Sequence, residues 1–462
     1  QFYNTARCWP TRAALLTGYY PQQVRMDPPR GRLPKGTRVL PHYLGPLGYR
    51  CYHSGKWHLH GAPRAVADGG FDHSYVLHDH NRFFAPQHHE EDDRPLPPVK
   101  PDAGYYATTA IADHAIRCLK EHAAKYADRP FFHYLAFTSP HFPLHALPED
   151  IARYRDRYRE GWDVIREQRW RRLRQMGIVN GELSPRRPHA EKPAAGALEK
   201  LGPGEEARAI AWNDLTDEQR AFQAIKMAIH AAMVDRMDRE IGRVLDQVRA
   251  MGAFENTVIF FLSDNGASAE LLVRGDGHDR TAAPGSGATY LCLGPGWATA
   301  ANAPFRGSKI GVYEGGIATP LIVHWPKGLP ASARGQLRHD VGHVIDFVPT
   351  LLELAGGRAG EPWNGVKPPP LPGRSLVPAF AKDGAVSRDF LFFSHSGNRA
   401  IRMGNWKLVA SGAEKDSWQL YDLATDRAET VNLAARYPER VRQMEARWKE
   451  LNAEFQRQAE AP

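Results

Sequence analysis

The sequence FFHYLAF at residues 131–137, followed after Thr138 by SPHFPLH at 139–145, is the stretch that decides the fold. A continuous apolar run of this length is typical of a β-strand buried on both faces. Two further runs have the same character, VIFFL at residues 258–262 and LIVHW at residues 321–325. Helical patterns separate these strands, so the sequence predicts an α/β fold with a mainly parallel sheet flanked by helices.

The remaining elements follow from apolar periodicity and from the positions of glycine and proline. Helices are predicted over Cys8–Gly18, Arg38–Leu47, Tyr105–Tyr126, Asp217–Met251 and His343–Ala355, with a short strand over Tyr49–Ser54. Residues 71–101 are predicted to form a long surface loop, and residues 180–208 a flexible excursion. Proline-rich residues 362–378 predict a boundary between a domain of residues 1–376 and a small C-terminal α+β domain of residues 377–462, with four short strands and a terminal helix.

Composition and charge exclude several classes of protein. The chain has 462 residues, of which 42% are hydrophobic and 24% charged, unlike disordered or membrane-embedded chains. No apolar run is long enough to span a bilayer. The net charge of +8 comes from basic residues interleaved with acidic ones, which supports anionic substrates weakly and nucleic acid not at all. The four cysteines have no CxxC spacing, so neither a zinc site nor a disulfide scaffold is indicated.

Polar clusters follow the predicted strands at residues 55–58, 139–145 and 263–266. In parallel α/β sheets, ligands bind beyond the carboxyl ends of the strands, so these clusters are expected to converge. Asp264 and Asn265 offer oxygen ligands suited to a hard cation such as Ca²⁺ or Mg²⁺. An ordinary Asp-Asn-Gly turn is the alternative interpretation of the same residues.

A second feature is the sequence CWPTRAALLTG at residues 8–18. Pro10 suits the first helical turn and Gly18 suits the helix stop. Cys8 therefore lies at a helix start, where unpaired N–H groups favour an anion, with Arg12 one turn further on. The alternative is an inert buried cysteine.

Residues Cys8–Pro21 resemble the C-x-P-x-R signature of the formylglycine-dependent type I sulfatases, which are arylsulfatase-like members of the alkaline phosphatase superfamily. Further segments resemble the same family: GKWHL at residues 55–59, SPHFP at 139–143, DNG at 264–266, and Lys309 five residues before EGG. The chain departs from the family at Cys51 in place of threonine, at His60 inserted before Gly61, and at Ala318 where an arginine often stands.

The resemblance implies a sulfuric ester hydrolase in which Cys8 is oxidised to formylglycine, the nucleophile, by a formylglycine-generating enzyme. It implies that Arg12 holds the aldehyde hydrate and that Lys56 and Lys309 neutralise the sulfate oxygens. It also implies that His141 protonates the leaving oxygen and that His58 takes the proton of the second hydroxyl.

The same resemblance implies a metal held by modified Cys8, Asp264 and Asn265, with Ca²⁺ favoured over Mg²⁺. In the family, a first strand ending in two aspartates supplies further ligands. The sequence is expected to begin after that strand, leaving the site incomplete. The family is commonly exported, so a periplasmic or extracellular location is expected.

Several alternatives remain at this point. The substrate is a small-molecule or carbohydrate sulfate ester, with aryl and carbohydrate esters both open. The same scaffold serves phosphate or phosphonate hydrolysis, and a non-catalytic protein that binds sulfated glycans is a further option. The histidine-rich stretch His73–Asp93 is interpreted as a solvated or substrate-lining loop rather than a second metal site. The stretch Tyr154–Arg174 is interpreted as a charged helix face rather than a grip for sulfated sugars.

Overall fold

The computed structural model describes residues 1–186, 193–412 and 417–460. The strands are β1 (Phe2–Tyr3), β2 (Arg50–Gly55), β3 (His73–Leu77), β4 (His89–Glu91), β5 (Arg94–Pro95), β6 (Phe131–Ala136), β7 (Ile259–Phe261), β8 (Ala318–Thr319), β9 (Ile322–His324), β10 (Gly342–His343), β11 (Leu391–His395), β12 (Asn398–Met403), β13 (Trp406–Ala410) and β14 (Gln419–Asp422). The helices are α1 (Cys8–Thr17), α2 (Leu40–Leu44), α3 (Ala107–Lys125), α4 (Pro148–Ala152), α5 (Gly161–Gln175), α6 (Ala197–Leu201), α7 (Asp217–Ala250), α8 (Gly294–Ala301), α9 (Glu314–Ile317), α10 (Phe347–Ala355), α11 (Val377–Ala381) and α12 (Pro438–Glu460). None of these described helices is long and apolar enough to cross a membrane.

A mixed sheet of order β5-β4-β3-β2-β6 lies in the larger part of the molecule. Three of its members, β3, β2 and the edge strand β6, are parallel, with Tyr52 opposite His73 in β3 and opposite His133 in β6. A separate antiparallel sheet, β11-β12-β13-β14, follows near the C-terminus together with α12. The predicted α/β class with a small C-terminal α+β part is confirmed, and the boundary at residues 376 and 377 stays a prediction.

The predicted surface loop over residues 71–101 is wrong, because β3, β4 and β5 lie within it. β3 is mostly buried and pairs with β2, and its polar residue Ser74 is satisfied by a 2.9 Å hydrogen bond with His53 Nδ1. Buried polar side chains that bond one another weaken the apolar pattern from which a strand is predicted.

The apolar runs at β6, β7 and β9 form strands as predicted, but they are not buried on both faces. β7 and β9 pair only with each other, and antiparallel, within the described chain. Phe261 is 45% exposed and Ile322 58% exposed. A cavity of about 630 Å³ is lined by β6 and β7 and reaches Arg12 and Asp264. Among the described residues, β6 and β7 are therefore not hydrogen-bonded to each other, and both line this cavity.

The predicted helices are confirmed with small differences at their ends. α1 ends where Gly18 takes a φ of +76° and donates its N–H to Ala14 O at 2.9 Å. α10 begins at Phe347, after a 3₁₀ turn over Val344–Asp346, and so starts later than predicted. The predicted excursion over residues 180–208 contains α6, and its residues 187–192 lie outside the described residues.

A buried ion network attaches the C-terminal sheet to the rest of the molecule. Lys407 of β13 is fully buried and lies 2.9 Å from both Glu314 and Glu429. Glu314 also accepts hydrogen bonds from Tyr3 and Arg427, at 2.8 and 3.0 Å. Glu314, which belongs to the EGG segment, therefore joins the C-terminal sheet to the rest of the molecule.

Because several histidines are buried, we expect acid to destabilise the fold. Burial lowers the pKa of His53 to about 3, of His114 to about 2 and of His145 to about 4. Unfolded histidines titrate near pH 6.5, so below that pH the unfolded chain binds protons that the folded chain does not. We expect the free energy of unfolding to fall by about 1.4 kcal/mol per pH unit per histidine between about pH 6 and the lowered pKa values.

Urea unfolding at several pH values between neutrality and about pH 5 measures this slope. His145→Gln is the matched variant, because a glutamine amide can still donate to Thr289 O, the 2.7 Å partner of His145 Nε2. We expect its stability to depend less steeply on pH. An unfolding free energy that does not change over this range would contradict the prediction.

Candidate active site

Arg12 joins the helix that starts at Cys8 to two of the predicted polar clusters, those at residues 55–58 and 263–266. Its guanidinium donates from Nε and Nη2 to Asp264 Oδ2, at 3.1 and 2.7 Å, and from Nη1 to Lys56 O at 2.7 Å. Arg12 is only 6% exposed. The helix that starts at Cys8, the segment after β2 and the segment after β7 therefore meet at one buried guanidinium.

Cys8 is the first residue of α1 and is buried next to this cluster. The loop before it is fixed by Thr11, whose Oγ1 accepts the Thr5 N–H at 3.1 Å. Burial lowers the pKa of Lys56, while the nearby Cys8 side chain acts in the opposite direction. Cys8 and Lys56 thus lie close together.

Lys309 and His141 form a hydrogen-bonded pair in the same region. His141 Nδ1 lies 2.6 Å from Phe142 O, and because a carbonyl only accepts, Nδ1 carries the proton. Its Nε2 accepts from Lys309 Nζ at 3.3 Å. Burial, and then the charges of Lys56 and Lys309, hold the pKa of His141 well below 6.5. Without substrate, His141 is therefore neutral at physiological pH.

His58 is held in an uncommon backbone conformation, with a φ of +54°. Its Nδ1 is buried, and no described residue hydrogen-bonds to it. Burial and the charge of Lys56 lower the pKa of His58 far below its ordinary value. The ring is therefore a neutral imidazole with an unpartnered nitrogen, as a proton acceptor requires.

Asp264 and Asn265 fit the predicted cation on two observations. The Oδ1 atom of Asn265 is buried and has no hydrogen-bond partner among the described residues, while its Nδ2 donates to Gly266 O at 2.9 Å. Burial acts to raise the pKa of Asp264, but Arg12 and Lys56 outweigh it, so the pKa is lowered and the carboxylate is ionised. A free amide oxygen beside a carboxylate is a donor set that Ca²⁺ or Mg²⁺ accepts.

Close backbone packing fixes this cation loop. A Cβ on residue 266 would lie 1.9 Å from Gly315 O, and the Gly266 N–H donates to Gly316 O at 3.0 Å. Only glycine fits between these segments. The DNG segment is thus held against the EGG segment that follows Lys309.

Comparisons with known proteins agree with this geometry. The family profile described as Sulfatase matches residues 1–357, which is more than half of the chain. This chain belongs to the sulfatase family. A second profile, described as N-sulphoglucosamine sulphohydrolase, C-terminal, matches residues 308–457.

Individual relatives of this sulfatase span most of its length. It is 32% identical to an uncharacterized sulfatase of Schizosaccharomyces pombe, over 98% of this chain and 86% of the relative. It is 30% identical to an arylsulfatase of Klebsiella aerogenes, over 77% of this chain and 78% of that enzyme. The fold is similar to the crystal structure of Ps i-CgsB in complex with k-i-k-neocarrahexaose, with a TM-score of 0.65, 22% identity, and coverage of 99% of this chain and 85% of that one.

In the histidine-rich stretch of this sulfatase, some histidines form ion pairs away from the candidate site and one lies at the site. His73 and His78 pair with Asp92 and Glu90 at 3.0 and 3.2 Å, outside the catalytic cluster. His80 alone of the stretch reaches His58 and His141, with ring centroids 5.4 and 5.7 Å away. No group of three or more histidine, cysteine, aspartate or glutamate side chains in the described part of the chain is arranged to hold a metal.

Trp162 and two arginines of α5 are directed into the molecule, whereas Arg171 and Arg174 are exposed, with 66% and 46% of their side chains accessible. Trp162 is 1% exposed and packs edge-on against Trp212 and Trp297, with centroids 4.9 and 5.7 Å away. Arg166 and Arg169 donate to backbone carbonyls, at 2.8 and 3.0 Å. These contacts agree with the interpretation of Tyr154–Arg174 as a charged helix face rather than a binding site for sulfated sugars.

Three residues near the site were missed from the sequence. Glu270 lies 2.9 Å from Lys309 Nζ, Tyr134 OH accepts from Arg12 Nη1 at 3.3 Å, and His80 contacts both site histidines. The only sequence signal for Glu270 was that it is an acidic residue close to the DNG segment. Tyr134 lies in an apolar strand, where no pattern distinguishes a site residue from a core residue.

Glu270 is a positioning residue for Lys309. Its carboxylate also accepts from Ser268 Oγ at 2.9 Å and lies 3.6 Å from Arg7. We expect Glu270→Ala to lower kcat/KM for a sulfate ester by about 10-fold or more, because Lys309 loses its anchor. Glu270→Gln retains an oxygen that can accept from Lys309.

Steady-state kinetics of both variants test this role. We expect Glu270→Gln to remain within a few fold of the unsubstituted enzyme, and any change to appear in KM. Equal losses for the alanine and glutamine variants would show that the charge, and not the anchoring hydrogen bond, is what matters.

Proposed function

We propose that this sulfatase hydrolyses sulfate monoesters through a formylglycine hydrate derived from Cys8, with a divalent cation at Asp264 and Asn265. The observation that carries the proposal is the single cluster in which Arg12 links the helix start at Cys8 to Asp264 and to Lys56 O. A nucleophile, a cation site and two lysines that suit a sulfate lie together there. Maturation would require a formylglycine-generating enzyme.

Lys56 and Lys309 would bind the non-bridging sulfate oxygens. Both side chains are buried, at 3% exposure each, so their attraction for an anion is screened little by water. Fixed charges in such a site stabilise the charge that develops on the transferred sulfuryl group. The residues that would hold the cation, Asp264 and Asn265, face the same region.

In the first step, one hydroxyl of the Cys8-derived hydrate, having released its proton to solvent, forms a bond to sulfur while the bond from sulfur to the leaving oxygen breaks. A cation bound there supplies positive charge that lowers the pKa of the hydroxyl, and Ca²⁺ is favoured over Mg²⁺ by resemblance. Arg12 orients the hydrate through its fixed position beside Asp264.

His141 would deliver a proton to the leaving oxygen. In the free site its pKa is lowered by burial and by the neighbouring lysines. A bound sulfate offsets those positive charges, which raises the pKa of His141 and favours the protonated ring. The imidazole can therefore be neutral before binding and act as an acid afterwards.

His58 would complete the cycle. It accepts the proton of the second hydroxyl, the carbon–oxygen double bond reforms, and the bond from that carbon to the sulfate oxygen breaks. Sulfate leaves with its four oxygens and the aldehyde is regenerated. The buried, unpartnered Nδ1 of His58 supports this role.

The substrate class is a small-molecule or carbohydrate sulfate ester. Aryl esters have support in the similarity to the arylsulfatase of Klebsiella aerogenes. Carbohydrate esters have support in the fold shared with Ps i-CgsB, whose structure holds k-i-k-neocarrahexaose. An exported, periplasmic or extracellular location belongs to the same proposal.

Turnover of 4-nitrophenyl sulfate, 4-nitrophenyl phosphate and a 4-nitrophenyl phosphonate tests the reaction type. The protein is co-expressed with a maturation enzyme and supplied with Ca²⁺. We expect kcat/KM to be highest for the sulfate. A preference for the phosphorus esters would reassign the enzyme to phosphate or phosphonate hydrolysis, and binding of sulfated glycans without turnover of any ester would identify a non-catalytic binder.

A further inference from the structure

His80 lies next to both of the histidines to which the mechanism assigns proton transfer. Its ring centroid is 5.4 Å from that of His58 and 5.7 Å from that of His141. It belongs to none of the segments that resemble the family signatures. The turn after β3 brings it there, and because β3, β2 and β6 are parallel neighbours, the residues that follow all three strands lie at the same edge of the sheet.

The hydrogen bond between the His80 ring and a backbone carbonyl shows which of the two ring nitrogens can accept a hydrogen bond. Nδ1 lies 3.0 Å from His78 O, and because a carbonyl oxygen only accepts, Nδ1 carries the hydrogen. In a neutral imidazole, Nε2 is then a hydrogen-bond acceptor. No residue within 1–186, 193–412 or 417–460 is seen to bond to this Nε2. Burial and the charge of Lys56 lower the pKa of His80 to about 3, which keeps the ring neutral.

The turn that carries His80 is held firmly. Asp79 Oδ2 accepts the N–H groups of Gln87 and His88, at 2.7 and 3.1 Å. Arg82 donates to Asp276 Oδ1 at 2.6 Å, which ties the turn to a second loop. These hydrogen bonds fix the turn and so hold His80 in place at the site. A site that selects among substrates requires side chains that are held in this way.

We infer that His80 determines specificity by accepting, at Nε2, a hydrogen bond from a hydroxyl on the carbon next to the sulfated one. The inference rests on the proposed function, because it takes His141 to face the leaving oxygen. Each hydrogen bond spans about 2.8 Å between heavy atoms, so two oxygens on neighbouring carbons can bridge His141 and His80. The substrates so selected are vicinal hydroxy sulfates, as sugars present, in preference to unsubstituted aryl sulfates.

The test compares catechol monosulfate, which carries a vicinal hydroxyl, with phenyl sulfate, which does not. We expect the enzyme to prefer the catechol ester in kcat/KM by roughly 10- to 100-fold, since a site built to bond a hydroxyl rejects the analogue without it. In His80→Ala we expect this ratio to fall toward one, chiefly through loss on the catechol ester. His80→Gln, whose side-chain oxygen can accept, should recover part of the ratio.

His78→Ala is the matched control, because His78 is an exposed residue of the same turn that pairs with Glu90 at 3.2 Å. Its substrate ratio is expected to remain that of the unsubstituted enzyme. Equal losses on both esters in His80→Ala, or an unchanged ratio, would overturn the inference. A mature enzyme that hydrolyses neither sulfate would overturn the proposed function itself, and the role of His80 with it.

Discussion

Replacement of Cys8 by alanine is expected to reduce sulfate ester hydrolysis to the level of the uncatalysed background. Loss of a nucleophile that forms a covalent intermediate typically costs about 10⁵- to 10⁶-fold in kcat. Cys8 lies at the start of α1, next to Arg12 and Lys56, where the proposed aldehyde would form. Turnover of 4-nitrophenyl sulfate under saturating Ca²⁺ measures the loss.

A second cysteine provides the control for this experiment. Cys118 is also buried and free, but it lies in α3, where its contact is with His114. Cys118→Ala should retain kcat/KM within a few fold, with a modest loss of thermal stability from the smaller side chain. Hydrolysis that persists in Cys8→Ala at the level of Cys118→Ala would remove the nucleophile from the mechanism.

Replacement of Arg12 by alanine is the second change with a large expected effect, because it acts on both activity and stability. The change leaves Asp264 Oδ2 and Lys56 O without the donors that now lie 2.7 Å away. Loss of one partner of a buried pair costs about 3–5 kcal/mol, and the value here should be nearer the lower end because the Asp264 side chain is 29% exposed. We also expect kcat/KM to fall by about 100-fold or more.

The Arg12→Lys variant separates charge from geometry. Lysine retains the positive charge but cannot make the forked contact to Asp264 together with the bond to Lys56 O. We expect stability between those of the parent and Arg12→Ala, and activity closer to that of Arg12→Ala. Urea unfolding and kinetics at a temperature where all variants are folded measure the two effects. Parent-like activity in Arg12→Ala would contradict the central position of Arg12.

The parts of the fold that depend on local pattern were predictable from sequence. The helix at Cys8, the long helix α7 and the C-terminal strands all follow from periodicity and from stop signals such as Gly18. β3 was not predictable in this way, because its polar residue Ser74 is satisfied by His53 from the neighbouring strand. The exposure of Phe261 and Ile322 was also missed, since an apolar run does not reveal how many strands pair with it.

The residues of the candidate site were likewise only partly predictable from the sequence. Strand-end clusters predicted which segments converge, and the contacts of Arg12 with Asp264 and with Lys56 O join two of them. Glu270 had only its acidic side chain near the DNG segment as a signal, and His80 only its place in the histidine-rich stretch, because their positions depend on tertiary packing around Lys309 and on the turn after β3. Residues that position or select, rather than react, therefore needed the structure.

The most direct test of the account measures sulfate release against the fraction of Cys8 converted to formylglycine. Mass spectrometry of the Cys8 peptide gives that fraction in preparations made with graded amounts of the maturation enzyme. We predict that activity is proportional to conversion and reaches background when Cys8 remains a thiol. Full activity in a preparation whose Cys8 is entirely unmodified would contradict the account.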